Sequence, residues 1–174
     1  KSFYNNYEYI YTDLADYDFE LFNALSLDMG VRALMITAGF GRAAAFEYLH
    51  QIEIRKLMLV NETAAIQVIH SFYSRLCARE DFYCGIMASI AGLMSSPLFS
   101  VYAASKAALC RFIESINIEI ELAGSTNRIL NVSPASIPGT RFNGGLNEPS
   151  QVEMIAEEIV SKMLLKEELF IPKY

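Results

Sequence analysis

Short apolar runs, each one strand long and separated by helix-length stretches, constrain the fold of this chain more than any other feature. Val31–Thr37, Asp81–Ala88 and Arg128–Ser133 are dominated by apolar residues, and Leu169–Ile171 is a shorter fourth run. At the front, Tyr7–Thr12 is rich in β-formers and ends at Asp13. Runs that are apolar nearly throughout suit strands buried on both faces. The intervening segments have helical periodicity. Asp16–Met29 is stopped by Gly30, and a long stretch from about Phe46 to Arg79 is expected to be interrupted somewhere. Val101–Leu122 carries an apolar stripe of Leu109, Phe112, Ile113, Ile116 and Ile120, and Gln151–Lys166 is amphipathic. Leu93–Ser100 and Ile137–Pro149, with their Gly, Pro, Ser and Asn, read as loops. Strands alternating with helices predict an α/β fold, a parallel sheet covered by helices. No linker or repeat divides residues 1–174, so a single domain is expected.

With 174 residues, 53% of them hydrophobic, the chain can supply a sizeable core. A net charge of −6 argues against nucleic acid or an anionic membrane as the main partner. No stretch reaches the roughly 18 uninterrupted apolar residues of a membrane span, and the first residues lack the apolar core of a signal peptide. Cys77, Cys84 and Cys110 form no Cys-x-x-Cys pair and read as free thiols of a reducing cytosol, which makes the expected location cytoplasmic. His50 and His70 are too few and too far apart to suggest a metal site.

The chemistry concentrates in a spaced trio. Ser89 ends the Asp81 run. Tyr102 and Lys106 stand at i and i+4 of a predicted helix, in Tyr102-Ala-Ala-Ser-Lys106, so the phenol and the ammonium share one face. A Tyr-x-x-x-Lys pattern alone is common and fits an ordinary helix with a half-buried Tyr and a solvated Lys. Its context is less common. Ser89 lies at the carboxyl end of a predicted strand, where open α/β sheets place ligands. Asn61 falls inside the long helical stretch, where its side chain competes for backbone hydrogen bonds. Ala38-Gly39 follows the Val31 run at a point where a glycine lets backbone approach a ligand. Pro134 ends the next run, and Thr140 follows six residues later.

This ordered set resembles the short-chain dehydrogenase/reductase family over nearly the whole chain. The resemblance implies a Rossmann-type fold and an NAD(P)(H)-dependent oxidoreductase, with NAD or NADP as cofactor, acting on a carbonyl/alcohol pair. It implies Tyr102 as general acid in reduction and base in oxidation. Lys106 would lower the phenol pKa and bind the nicotinamide ribose. Ser89 would polarise the substrate oxygen, and Asn61 would anchor a water in a proton relay. Cofactor contacts are implied for Asp13 and Leu14 beside the adenine, for Ala38 and Gly39 beside the adenosine ribose, and for Pro134, Ala135, Ile137 and Thr140 at the nicotinamide end.

The chain departs from the family pattern in three places. Ile36-Thr37 stands where the family has Asn-Asn, and Pro134-Ala135 where it has Pro-Gly, so a methyl group is expected to crowd the nicotinamide. The family's opening strand, its Thr-Gly-x-x-x-Gly-x-Gly turn and the helix that holds the pyrophosphate have no counterpart. The nearest approach, Gly39-x-Gly41, lies in a different element. Against a typical member, about sixty residues of the first β-α-β unit are expected ahead of Lys1. Without them the Tyr7 strand has no neighbour and the Val31 strand is an open apolar edge. The expectation is then that these residues belong to a longer chain, that the Tyr7 strand shifts to pair with the Val31 strand, or that another copy completes the sheet. For residues 1–174 alone, ordinary dinucleotide binding is not expected.

The loop Gly139–Glu148 matches the family's mobile substrate lid, with Gly144-Gly145 as hinge and Arg141 able to meet an acidic group. Leu93, Met94, Leu98 and Phe99 are candidate apolar walls, which favours a small, uncharged, fairly hydrophobic ketone or secondary alcohol. The resemblance also implies a homodimer or homotetramer built on the Val101–Leu122 helix and the long helix before it. Two other functions compete. One is a truncated, non-catalytic homologue acting as an oligomerisation or regulatory partner. The other is an epimerase or dehydratase acting on a nucleotide sugar, although those relatives carry a larger C-terminal part.

Overall fold

The computed structural model describes residues 8–16, 19–137 and 149–173. Four strands, β1 (Ala33–Ile36), β2 (Tyr83–Met87), β3 (Ile129–Val132) and β4 (Leu169–Phe170), form one parallel sheet in the order β1-β2-β3-β4. Ile36 is level with Ile86, and Ile86 with Asn131. The carboxyl ends of β1, β2 and β3 therefore lie side by side, and the residues just beyond them, Thr37, Ala88 and Ser133, open onto one edge. The helices are α1 (Phe19–Leu27), α2 (Gln51–Met58), α3 (Ala64–Leu76), α4 (Ser100–Leu122) and α5 (Pro149–Leu164). The family's α/β, Rossmann-type architecture is the one observed.

Side-chain alternation along the strands sends successive residues to opposite faces. Cys84, Ile86 and Ile129 join Val68, Phe72, Leu109 and Ile113 in one core cluster, against which Phe22 and Leu25 of α1 also pack. Leu130 and Val132 face the other way and meet Ile155, Ile159 and Met163 of α5. The stripe expected on the Val101 helix is this inner face of α4. Leu109, Ile113 and Ile120 are buried, and Phe112 and Ile116 pack partly against them.

One expectation is corrected by the structure. Glu8–Thr12 form no strand, and Tyr9 and Tyr11 are 90% and 93% exposed. Tyr7 lies outside the described residues. The physical reason is that β-propensity stabilises nothing until a neighbouring strand supplies hydrogen bonds and a packed face. The shift onto the Val31 strand does not occur either. Among the described residues β1 pairs only with β2, and none of its residues is fully buried, whereas all four residues of β3 are. The long helical stretch is interrupted, as expected. It is a short 3₁₀ turn (Phe46–Tyr48), then α2, then a five-residue π turn (Leu59–Thr63), then α3. The expected interruption is this π turn, and Asn61 lies in it.

The end of α3 is held by Asn127. Its Oδ1 accepts from the Phe82 N–H at 3.1 Å. Its Nδ2 faces the carbonyls of Leu76, Ala78 and Glu80 at 3.3, 3.3 and 3.0 Å. The residue is 1% exposed, so these bonds are made away from bulk water. Asn127→Ala is expected to cost about 2–4 kcal/mol, because several buried backbone groups lose a partner together. Urea unfolding checks this, and a midpoint equal to that of the wild type would contradict it.

Candidate active site

Ser89 lies two residues beyond the end of β2 and is buried. Its Oγ accepts from the Ala91 N–H at 3.2 Å and caps the 3₁₀ turn Ile90–Gly92. The Ile90 N–H donates to the Pro134 carbonyl at 3.1 Å, which ties the segments after β2 and β3 together. Gly92 brings that turn onto α4. A Cβ at Gly92 would lie 2.6 Å from both the carbonyl carbon and the oxygen of Lys106. Only a residue without a side chain permits this approach, and it sets the Ser89 turn against the helix that carries Tyr102 and Lys106.

Tyr102 sits in the first turn of α4, with Phe99 edge-on at 6.0 Å between ring centroids. Burial raises the phenol pKa above its ordinary value, and a hydrogen bond with Ser89 opposes this in part. The Lys106 Nζ lies over the Tyr102 ring, 5.8 Å from its centroid, and donates to the Met87 carbonyl at 2.8 Å.

Lys106 is 3% exposed. Burial holds its pKa down at about 8 against an ordinary 10.5, with Cys110 pulling weakly the other way. Between these two values the unfolded chain binds more protons than the folded one, so the unfolding free energy should rise with pH across that window. Lys106→Met is expected to lack the rise, as measured by urea unfolding at about pH 7.5 and about pH 10. Parallel behaviour of the two proteins would show that Lys106 is not depressed.

Asn61 is completely buried. Its Oδ1 accepts from the Phe40 N–H at 2.9 Å, and its Nδ2 donates to the Phe40 carbonyl at 2.8 Å and to the Ser105 Oγ at 3.3 Å. What the side chain anchors here is the backbone after β1. The π turn turns the amide inward, a use such turns often have at functional sites. Gly39 packs directly on this group. A Cβ there would come 3.2 Å from the Asn61 Oδ1 and 3.3 Å from the Lys106 Nζ.

These groups border a cavity of ≈ 520 Å³. Of the residues singled out in the sequence, Gly39, Ser89, Tyr102, Lys106, Pro134, Ala135 and Ile137 line it together. Ala38 adjoins the cavity without lining it, and Asn61 stands behind Gly39. Asp13 and Leu14 do not line it. The Asp13 Oδ1 instead accepts from the Ala15 N–H at 2.9 Å in an exposed turn. Thr140 and the lid loop, with Arg141 and Gly144-Gly145, lie outside the described residues. Of the candidate walls only Phe99 lines the cavity. Leu93 and Met94 border a neighbouring shallow depression, and Leu98 borders neither. Leu98, two residues before α4, has a positive φ of 66° and is exposed. Thr37, Ser96 and Ser136, not foreseen as lining residues, add hydroxyl groups.

The family model described as short chain dehydrogenase matches residues 11–151. The chain belongs to the short chain dehydrogenase family. Among curated relatives, the chain is 28% identical to the uncharacterized oxidoreductase TDA5 of Saccharomyces cerevisiae over 123 residues, 70% of this chain and 37% of that protein. It is 36% identical to the dehydrogenase RED2 of Cochliobolus heterostrophus over 87 residues, 50% of this chain and 33% of that protein. The matches thus span only about a third of the length of these relatives. Among solved structures, it superposes on a bulky-bulky ketone specific alcohol dehydrogenase from Comamonas testosteroni with a TM-score of 0.78 at 22% identity, covering 95% of this chain and 65% of that one. It also superposes on a short-chain dehydrogenase from Sphingobium yanoikuyae, solved in complex with NADPH, with a TM-score of 0.77 at 21% identity, covering 92% and 65%. At these identities the structural likeness shows the fold alone.

Proposed function

We propose that this chain carries the proton-transfer machinery of an NAD(P)(H)-dependent oxidoreductase that interconverts a carbonyl and a secondary alcohol. The observation that carries the reading is the convergence of Ser89, Tyr102 and the buried Lys106 on the wall of one cavity. The residues present fit the nicotinamide-ribose part of the cofactor. The missing side chain at Gly39 leaves open the approach to the Lys106 ammonium, a donor suited to ribose hydroxyls. Pro134, Ala135 and Ile137 offer an apolar wall for a flat ring. When bound, the nicotinamide supplies or accepts the hydride.

The side chains handle the proton. In reduction, Tyr102 Oη gives its proton to the substrate oxygen as that oxygen gains negative charge. In oxidation it takes the proton back. The Ser89 hydroxyl donates to the same oxygen and stabilises its developing charge. Lys106 adds a positive field in a site where water is largely excluded. Among the described lining residues Lys106 carries the only formal charge, and Met87, Ile90, Phe99 and Ile137 make much of the wall apolar. This supports a small, uncharged, fairly hydrophobic substrate, with residues 1–174 read as one Rossmann-type domain. Exposed Ile118 and Leu122 on α4 support a homo-oligomer formed through that helix.

The experiment follows the loss of NADPH or NADH absorbance with a panel of hydrophobic ketones, using the protein at its natural length. Turnover with at least one ketone is expected. Its absence across the panel with both cofactors would instead favour the non-catalytic oligomerisation or regulatory partner.

A further inference from the structure

Ser105 is fully buried in α4 between Tyr102 and Lys106, and the proton-transfer reading gives it no task. Its hydroxyl has one proton, which it donates to the Tyr102 carbonyl at 2.7 Å. Toward Asn61 it can therefore only accept, and it does so from Nδ2 at 3.3 Å. The Phe40 backbone sets the polarity of the Asn61 amide, and the Ser105 oxygen takes its remaining Nδ2 hydrogen. With Nδ2 on the Ser105 side, Oδ1 faces the Phe40 N–H and Nδ2 also reaches the Phe40 carbonyl. A flipped amide would set oxygen against the Phe40 carbonyl and nitrogen against its N–H. Phe40 follows Gly39, whose Cα packs on the Asn61 Oδ1 and the Lys106 Nζ. A continuous chain of hydrogen bonds thus runs from the helix bearing the proton donor to the segment that lines the cavity after β1.

We propose that Ser105 is a positioning residue: it ties the Asn61 amide to α4 and, through it, holds the Gly39–Phe40 backbone against the start of α4, so that the wall of the cavity and Tyr102 keep one fixed relation. The chain has no slack, because every member is buried or is backbone held by a buried group. Loss of the hydroxyl leaves a buried Nδ2 hydrogen without its acceptor and unties the Asn61 amide from α4, and the Phe40 N–H is the group that reports it. The consequence for catalysis rests on the oxidoreductase reading, whereas the consequence for the loop does not.

The test is amide hydrogen exchange, read by NMR on the natural-length protein. In Ser105→Ala the Phe40 amide is expected to exchange at least about tenfold faster, while the sheet amides of Ile86 and Leu130 keep their wild-type rates. Ser105→Cys, which keeps a weak hydrogen-bonding group of similar size, should fall between, and it decides the matter if the alanine variant does not fold. Wild-type exchange at Phe40 in the folded variant overturns the proposal. So does an equal acceleration at Phe40, Ile86 and Leu130, which would mean only a general loss of stability. In turnover with NADPH and a ketone, Ser105→Ala should lower kcat about tenfold with the ketone KM unchanged, and Ser105→Cys should recover part of it. A wild-type protein without turnover removes the oxidoreductase reading alone, since Phe40 exchange still decides the role of Ser105.

Discussion

Tyr102→Phe is expected to lower kcat by about 10²–10⁴-fold while leaving cofactor affinity close to wild type, because the phenyl ring keeps the packing and loses only the transferable proton. The ring stays edge-on to Phe99 and under the Lys106 Nζ, so the walls of the cavity are preserved. Steady-state kinetics with a ketone and fluorescence titration with NADPH separate the two effects. A variant that retains more than about a tenth of wild-type kcat would remove Tyr102 as the acid. The raised phenol pKa gives the pH dependence a direction. At neutral pH Tyr102 is protonated and ready to donate, so reduction should be nearly independent of pH there. Oxidation needs the phenolate and should speed up as the medium becomes alkaline. An oxidation rate that falls toward alkaline pH would assign the base to another group.

Gly92→Ala is expected to produce the largest structural effect of a single methyl group in the site. The added Cβ would meet the Lys106 carbonyl carbon and oxygen at 2.6 Å and the Ala107 nitrogen at 2.9 Å. These are backbone atoms of a 23-residue helix, and they cannot rotate aside as a flexible side chain would. The Ile90–Gly92 turn must therefore lift off α4, at a cost of about 1–3 kcal/mol. For a chain of this size that is a fall in Tm of several degrees. Because the same turn is capped by Ser89, lifting it also draws the serine hydroxyl away from Tyr102. A thermal melt combined with ketone kinetics should show the loss of Tm and a lowered kcat together. An unchanged melt would mean that the turn yields without cost.

Most of the site could be read from the chain, because local spacing creates it. Tyr102 and Lys106 share a face of α4 through i, i+4 geometry, and Ser89 ends the apolar run that becomes β2. The parallel sheet followed from strand-length runs separated by helix-length stretches. The weakest sequence inference was the segment around Tyr9 and Tyr11, whose β-propensity needed a neighbouring strand that the described residues do not provide. The wall residues were misjudged for another reason. Leu93, Met94 and Leu98 are apolar and near Tyr102 in sequence, but the path of the loop decides which of them face the cavity.

The sequence by itself determined the identity and order of the chemical groups, since a hydroxyl, a phenol and an ammonium are set by residue type and short-range periodicity. The tertiary structure alone decided their electrostatic state and their rigidity. Burial, which no local pattern encodes, draws the Lys106 pKa down to about 8 and outweighs the Ser89 hydrogen bond at Tyr102. The need for a glycine at position 92 arises from the α4 backbone passing against it. The Ser105–Asn61–Phe40 chain likewise joins residues 44 and 21 positions apart. Contacts of that separation depend on how the elements pack, and so they come into being only with the fold.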